Sequence, residues 1–149
     1  PNDKKWYKIY NFLNEELSRN IHEYLSILNN NNFNSFYNNS NSKYYYFENQ
    51  KFYYEIFMVQ RYLKGIGKYI YHHDFTVHKN DKKHRVITYL WYLNDVEEGG
   101  ETVIEDDICI KPEAGKLLLF PACWTFPHTG KVPLSSNKYI ITGWLWENY

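Results

Sequence analysis

Three side chains of metal-binding type stand together at the end of an aromatic segment, YLKGIGKYIYHHDF (62–75). On a β-strand alternate side chains share a face, so His72 and Asp74 point to one side and His73 points to the other. His72 and Asp74 would offer one nitrogen and one oxygen to a cation from a rigid element. A His-X-Asp tripeptide also arises often by chance, and the alternative interpretation is an exposed hydrogen-bonded pair at a strand end.

A third imidazole and a lysine complete a candidate site further along the chain. His128 follows the apolar run KLLLFP (116–121), and Lys138 begins the segment KYIITGWLW. In a strand Lys138, Thr142 and Trp144 would share one face. An unpaired lysine on an aromatic face is costly, so this face suggests a bound anion. Two His and one Asp on one side of a metal ion form the facial triad of non-haem Fe(II) oxygenases.

The segments that must position these residues have β-strand character. After residue 42, short runs of aromatic and β-branched residues alternate with Gly, Pro, Asn and Asp breakers. The predicted strands are KYYYFE (43–48), FYYEIFMVQRYL (52–63), KYIYHHDF (68–75), RVITYLWYLND (85–95), ETVIED (101–106), ICIKP (108–112), KLLLFP (116–121) and KYIITGWLWE (138–147). Such a series without an intervening helical pattern predicts a mostly β fold, either a sandwich or a jelly-roll barrel.

The N-terminal part of the sequence has a different period. WYKIYNFLNEELSRNIHEYLSIL (6–28) opens with a short strand-like run, after which Asn14 is the expected N-cap of an amphipathic helix. Apolar residues then recur at helical spacing, at Leu17, Ile21, Tyr24, Leu25 and Leu28. His22 lies off this stripe and is expected at the surface. The Asn-rich segment 29–42 is predicted to be a mobile loop.

Composition excludes several classes of function. The 149 residues suit one domain, and the 17 basic and 17 acidic residues leave no net field for nucleic acid or anionic membranes. No apolar run reaches the length of a membrane span, and no signal peptide is recognised. The two cysteines are too few for a disulfide framework, so we expect a reducing cytoplasm. EEGGET (97–102) lacks the ending of a phosphate-binding loop and is predicted to be a turn.

Four segments resemble, in the right order, the catalytic core of the 2-oxoglutarate- and Fe(II)-dependent dioxygenases, and in particular the prolyl 4-hydroxylase-like branch. They are RYLKGIGKYIYHHDF, RVITYLWYLNDVEEGGETVI, IKPEAGKLLLFPACWTFPH and GKVPLSSNKYIITGWL. The compact form is similar to members from phages and marine microbes. The resemblance implies a double-stranded β-helix (jelly-roll) barrel with an N-terminal helical support. The whole chain, 1–149, would be one domain, with the support and Asn-rich loop in 1–42 and the catalytic core in 43–149.

The resemblance also implies a ligand set for the metal. His72, Asp74 and His128 would bind Fe(II) and form the catalytic centre. His73 lies on the opposite face of its strand, where we expect packing or a contact with substrate. The basic segment TVHKNDKKHR (76–85) is expected to be a solvated loop, and a lid over the substrate is the alternative.

A second set of residues would hold 2-oxoglutarate, as the resemblance implies. Lys138 would pair with the distal carboxylate, Tyr92 would hydrogen-bond the same group, and Tyr62 would reach the co-substrate near the metal. Thr142 and Trp144 would hold ligands and water in place. The expected cofactors are Fe(II) and 2-oxoglutarate, with ascorbate as a candidate reductant.

The function implied by this resemblance is hydroxylation of a C–H bond by O2, with oxidative decarboxylation of 2-oxoglutarate to succinate and CO2. We expect the substrate to be a prolyl residue of a peptide or protein, and a free amino acid or small metabolite is the alternative. No nucleic-acid or membrane partner is expected, and the sequence does not define an oligomeric state. A non-catalytic jelly-roll binding module is the alternative from another class, because abundant Tyr and Trp suit ligand stacking. It gives no reason for two histidines, an aspartate and a lysine to occur together.

Overall fold

The computed structural model describes residues 4–30, 52–54 and 56–149. The chain divides into two compact units, residues 1–50 and 51–149. The strand predicted at 43–48 lies outside the described residues, as does the Asn-rich segment beyond residue 30.

In the first unit the described residues form one long helix, α1, which spans Lys4–Asn30. Leu17 and Ile21, four residues apart, are its buried positions, as the predicted stripe requires. The strand-like start and the N-cap at Asn14 are wrong, because the helix already includes these residues. The same stripe continues back through Leu13 at the four-residue spacing, and this helical period overrides the weak strand propensity of the aromatic residues. None of the helices in the described part of the chain has the length and apolar character that crossing a membrane requires.

The second unit consists of short antiparallel strands, which confirms the mostly β class. The strands are β1 (Tyr53–Tyr54), β2 (Met58–Tyr62), β3 (Tyr69–His72), β4 (Val77–His78), β5 (Lys83–Tyr92), β6 (Thr102–Ile104), β7 (Ile108–Ile110), β8 (Leu117–Pro121), β9 (His128–Gly130) and β10 (Lys138–Asn148).

The strands form two sheets. In the first, β10 pairs with β5 on one edge and with β1 and β2 on the other, while β4 and β8 pair with the far edge of β5. In the second, the described strands follow the order β3, β9, β6 and β7. This is the curled antiparallel arrangement of a jelly roll, as predicted. The two longest strands, β5 and β10, supply much of the buried core.

Two strands were absent from the sequence prediction. β9 is only three residues long, and β4 lies in the segment that was expected to be a solvated loop. There Val77 pairs with His84 and His78 with Lys83, so that 76–85 is largely a hairpin, with Lys82 in the left-handed region at its turn (φ 49°). The predicted turn at 97–102 also has left-handed residues, Gly99 and Gly100.

Candidate active site

The three side chains that the sequence predicts to bind a metal converge in the structure. β3 and β9 are neighbours in the second sheet, and His72 lies directly opposite His128 in their register. Asp74 follows β3 by two residues and is buried, with 6% of its surface exposed. One ligand atom from each of the three residues lies within 4.8 Å of the others. His73 is exposed and does not belong to this group.

Backbone carbonyls orient both imidazoles. The Nδ1 atom of His72 lies 2.8 Å from the Ile70 carbonyl oxygen, and Nδ1 of His128 lies 3.1 Å from that of Phe126. A carbonyl oxygen only accepts, so each Nδ1 is the donor in its contact, and Nε2 is the ring atom that would bind a metal. Both Nε2 atoms lie 3.5 Å from an oxygen of Asp74, one on each side of the carboxylate.

The electrostatic surroundings favour an anionic carboxylate. Burial would raise the pKa of Asp74, but hydrogen bonds from His72 and Thr88, with the nearby His128 and Trp144, lower it to about 2. Thr88 Oγ1 donates to Asp74 Oδ2 at 2.7 Å. Burial lowers the pKa of His128, which favours its neutral form. The set therefore presents one carboxylate and imidazole nitrogens to a cation.

Trp144 and Thr142 lie beside this triad on β10. The Trp144 indole nitrogen helps to lower the Asp74 pKa, yet it is buried without a hydrogen bond of ordinary geometry among the described residues. The Arg85 guanidinium stacks on the Trp144 ring, 3.4 Å from its centroid. Thr142 donates to the Tyr89 carbonyl at 2.8 Å, so its hydroxyl is engaged by the protein backbone.

One cavity of about 200 Å³ joins the triad to Lys138. Much of its remaining wall is apolar, supplied by Met58, Leu90, Phe120 and Ile140. Such a wall excludes water and strengthens electrostatic interactions inside the cavity.

Lys138 is a buried cation at this cavity, with 2% of its surface exposed. Its Nζ donates to the Gly100 carbonyl at 2.8 Å and lies 4.5 Å from the centroid of the Tyr62 ring. Burial lowers the pKa of Lys138 to about 8, although the charge of Glu101 opposes this. No carboxylate of the described residues lies within ion-pair distance of Nζ. The cavity therefore contains a cation that is available to an anionic ligand.

The two predicted tyrosines occupy different positions. Tyr62 lines the cavity, and its hydroxyl donates to Gln60 Oε1 at 2.6 Å. Tyr92 is fully buried, and its hydroxyl donates to Thr102 Oγ1 at 2.7 Å. Thr102, rather than Tyr92, lines the cavity.

Several lining residues were missed by the sequence prediction. Gln60, Thr88, Thr102 and Gly130 all contribute to the cavity. Strand alternation could have identified Gln60 and Thr88. Gln60 lies two residues before Tyr62 on the same strand, and Thr88 lies two residues before Leu90, which also lines the cavity. Thr102 and Gly130 come from short strands whose register depends on the second sheet.

The family model of the 2OG-Fe(II) oxygenase superfamily matches residues 57–146 of this chain. Among curated proteins, a probable prolyl 4-hydroxylase 10 from Arabidopsis thaliana is 31% identical over 108 residues. That alignment covers 52% of this chain and 37% of the plant protein, so this chain spans little more than a third of that relative.

The solved structures that are similar to the chain include two prolyl hydroxylases. One is a viral collagen prolyl hydroxylase from Paramecium bursaria Chlorella virus-1 in a 2OG complex, with a TM-score of 0.64 and 24% identity over 91% of this chain and 72% of that one. The other is a Trichoplax adhaerens prolyl hydroxylase in complex with a peptide fragment of hypoxia inducible factor. Its TM-score is 0.55 and its identity 29%, over 67% of this chain and 47% of that one. The viral protein supports the fold alone.

Proposed function

The chain belongs to the 2OG-Fe(II) oxygenase superfamily, and from this premise we propose that it is a 2-oxoglutarate-dependent dioxygenase that hydroxylates a peptidyl proline. The observation that carries the proposal is the shared cavity, in which a metal-binding triad and the buried Lys138 meet. In a metal-binding barrel without a co-substrate, the buried Lys138 ammonium would have no counter-charge and would destabilise the fold.

The residues at the triad fit Fe(II). His72 and His128 direct their Nε2 atoms toward the anionic carboxylate of Asp74, and the three together are the two-histidine, one-carboxylate donor set of non-haem iron sites. Although burial opposes it, hydrogen bonds with Asp74 and the Ile70 carbonyl raise the pKa of His72, so a metal ion would displace a proton when it binds there. Iron held there would supply the redox chemistry that couples decarboxylation of 2-oxoglutarate to hydroxylation by O2. Thr88 fixes the carboxylate by its hydrogen bond, and the Trp144 N–H is an additional donor toward a bound ligand.

The remainder of the cavity fits a short dicarboxylate. Gly130 lies two residues after His128 on β9, and a Cβ at Gly130 would be 3.6 Å from Lys138 Nζ. Two strand residues span roughly 7 Å, so the cation is separated from the metal ligands by a comparable distance. The five carbons of 2-oxoglutarate extend about 5 Å at ordinary bond lengths. One end can therefore meet Lys138 while the other approaches the triad.

The protein's part in the reaction is binding and exclusion of water. Lys138 neutralises the distal carboxylate in a charge-assisted contact, and Thr102 supplies a hydroxyl at the cavity, supported from behind by Tyr92. The apolar side chains Leu90 and Ile140 keep solvent from the co-substrate.

A peptidyl proline is the substrate that the relatives support best. The plant relative is named a probable prolyl 4-hydroxylase, and the Trichoplax prolyl hydroxylase was solved with a peptide fragment. Substrate recognition belongs to loops that vary within a fold, so a free amino acid or small metabolite is the alternative with the same chemistry.

The test is succinate formation from 2-oxoglutarate by the protein with Fe(II), ascorbate and O2, with and without a library of proline-containing peptides. We expect peptide-stimulated succinate formation and a gain of one oxygen atom on proline, read by mass spectrometry. If only free proline or another free amino acid stimulates succinate formation, the substrate is a small molecule and not a peptide. If no 2-oxoglutarate is consumed under any of these conditions, the enzymatic proposal fails and the binding-module alternative gains.

A further inference from the structure

Gln60 lies in the cavity on the same face as a residue that contacts the buried cation. Met58, Gln60 and Tyr62 on β2 are partly buried and line the cavity, whereas Val59 and Arg61 between them are exposed. This alternation follows from the geometry of a strand that has one face on the interior. Gln60 is thus held at the cavity by the strand itself.

Two contacts connect Gln60 to the cation in series. The Tyr62 hydroxyl donates to Gln60 Oε1 at 2.6 Å, and the face of the Tyr62 ring lies 4.5 Å from Lys138 Nζ. Burial, assisted by Tyr69, raises the pKa of Tyr62 to about 12, so the phenol remains a neutral donor at physiological pH. The Gln60 side chain makes no other hydrogen bond with the described residues, so the Tyr62 contact is its polar connection to the site.

We propose that Gln60 is a positioning residue for the co-substrate: it holds the Tyr62 ring across the Lys138 ammonium and so keeps that cation directed into the cavity. The lysine stem is flexible, and an aromatic face attracts an ammonium. A phenol hydroxyl without an acceptor would pull the ring toward another partner. The inference rests on the proposed function, because 2-oxoglutarate is the anion that the cation would meet.

The positioning is first tested without co-substrate or metal. A ring face near an ammonium shifts the NMR signals of the adjacent methylene upfield, so the Lys138 ε-methylene signal reports the contact. We expect Gln60→Met to reduce this upfield shift, and Tyr62→Leu to reduce it as well because it removes the ring. Gln60→Glu should keep the shift, because a carboxylate still accepts a hydrogen bond from the Tyr62 hydroxyl. Arg61→Met, at the exposed neighbouring position, is the matched control and should leave the signal unchanged.

Binding of 2-oxoglutarate is tested next by calorimetry, with Mn(II) in place of Fe(II). Gln60→Met should weaken binding about three- to tenfold, the equivalent of one hydrogen bond. In a Tyr62→Phe background the same change should alter binding less than about twofold, because Phe offers no hydroxyl to hold. Gln60→Glu should weaken binding more than Gln60→Met does, since it retains the ring but adds an anion to the cavity.

The outcomes separate this inference from the proposed function. If Gln60→Met leaves the Lys138 signal and the affinity unchanged, Gln60 does not position the cation. An equal loss of affinity in the parent and Tyr62→Phe backgrounds would mean that Gln60 acts without Tyr62, which also overturns the inference. If the parent protein binds no 2-oxoglutarate while the ring-dependent signal behaves as expected, the proposed function fails and the positioning contact stands.

Discussion

At the scale of single residues, the proposed metal centre depends on imidazoles that the backbone would orient before any ion binds. The Nδ1 contacts with the carbonyls of Ile70 and Phe126 reduce the reorganisation that metal binding would require. His128→Ala should therefore abolish Fe(II) binding, because it removes one of three ligands, while the β fold remains. His73→Ala is the matched control, since His73 is exposed and is not one of the three grouped side chains. Anaerobic calorimetry with Fe(II) measures both, and equal losses in the two variants would refute the ligand assignment.

We expect the buried Lys138 ammonium to lower the free energy of unfolding of the protein when no anion is bound. Burial holds its pKa at about 8 against the ordinary 10.5, so the cost is fully present below pH 8 and disappears as the pH rises toward 10.5. The difference between these two pKa values corresponds to a destabilisation of roughly 3 kcal/mol. The hydrogen bond to Gly100 offsets about 1 kcal/mol of it. Lys138→Met should thus raise the free energy of unfolding by about 1–3 kcal/mol at pH 7 and by less at pH 10. Urea denaturation at the two pH values decides this, and destabilisation at pH 7 would contradict it.

Strand alternation was sufficient to group His72 with Asp74 but not to predict how deeply other side chains are buried. It grouped His72 with Asp74 and separated His73 from them; the structure brings His72 and Asp74 together, and His73 is exposed. It could not place Tyr92 behind Thr102, because that contact joins strands of different sheets. Side chains that meet through tertiary pairing leave no local signal in the sequence.

At the scale of elements, the contact between β5 and β10 depends on a glycine. Gly143 lies opposite the fully buried Tyr89, and a Cβ at that position would collide with the tyrosine hydroxyl. Gly143→Ala should therefore destabilise the fold by about 1–3 kcal/mol through overpacking. Gly65→Ala is the control for a glycine without such a neighbour: nothing lies within 4 Å of its Cβ position, and only its left-handed backbone (φ +74°) opposes the change. Thermal unfolding compares them, and a Gly143→Ala variant as stable as the parent would show that Tyr89 can move.

The elements themselves were predictable where their own residues determine them. The long strand β10 has a continuous run of β-forming residues, and its bounds nearly match the prediction. β9 has three residues with a glycine, and it is a strand because β3 and β6 pair with its two edges. Short strands of this kind depend on their neighbours more than on propensity. The start of α1 was missed for a different reason, since aromatic residues obscured the helical spacing.

At the scale of the whole molecule, ligands that bind only the folded chain must raise its thermal stability. A ligand at about 100 times its dissociation constant stabilises the folded state by about 2.7 kcal/mol. For a chain of 149 residues this corresponds to several degrees in Tm. A metal ion and 2-oxoglutarate in one cavity should also act jointly, since the co-substrate would contact both the metal and the cation.

We therefore expect the parent protein to gain Tm with Mn(II) and to gain further when 2-oxoglutarate is added, with little gain from 2-oxoglutarate alone. The two sites should then be separable by mutation. Lys138→Met should respond to Mn(II) like the parent and lose most of the second gain, because Lys138 is not among the three proposed metal ligands. His128→Ala should lose the metal response, and with it most of the response to 2-oxoglutarate. Differential scanning fluorimetry of the three proteins, with glutarate as a co-substrate analogue that lacks the keto group, provides the comparison. If 2-oxoglutarate stabilises Lys138→Met as much as the parent, then the cavity does not bind the co-substrate through this lysine.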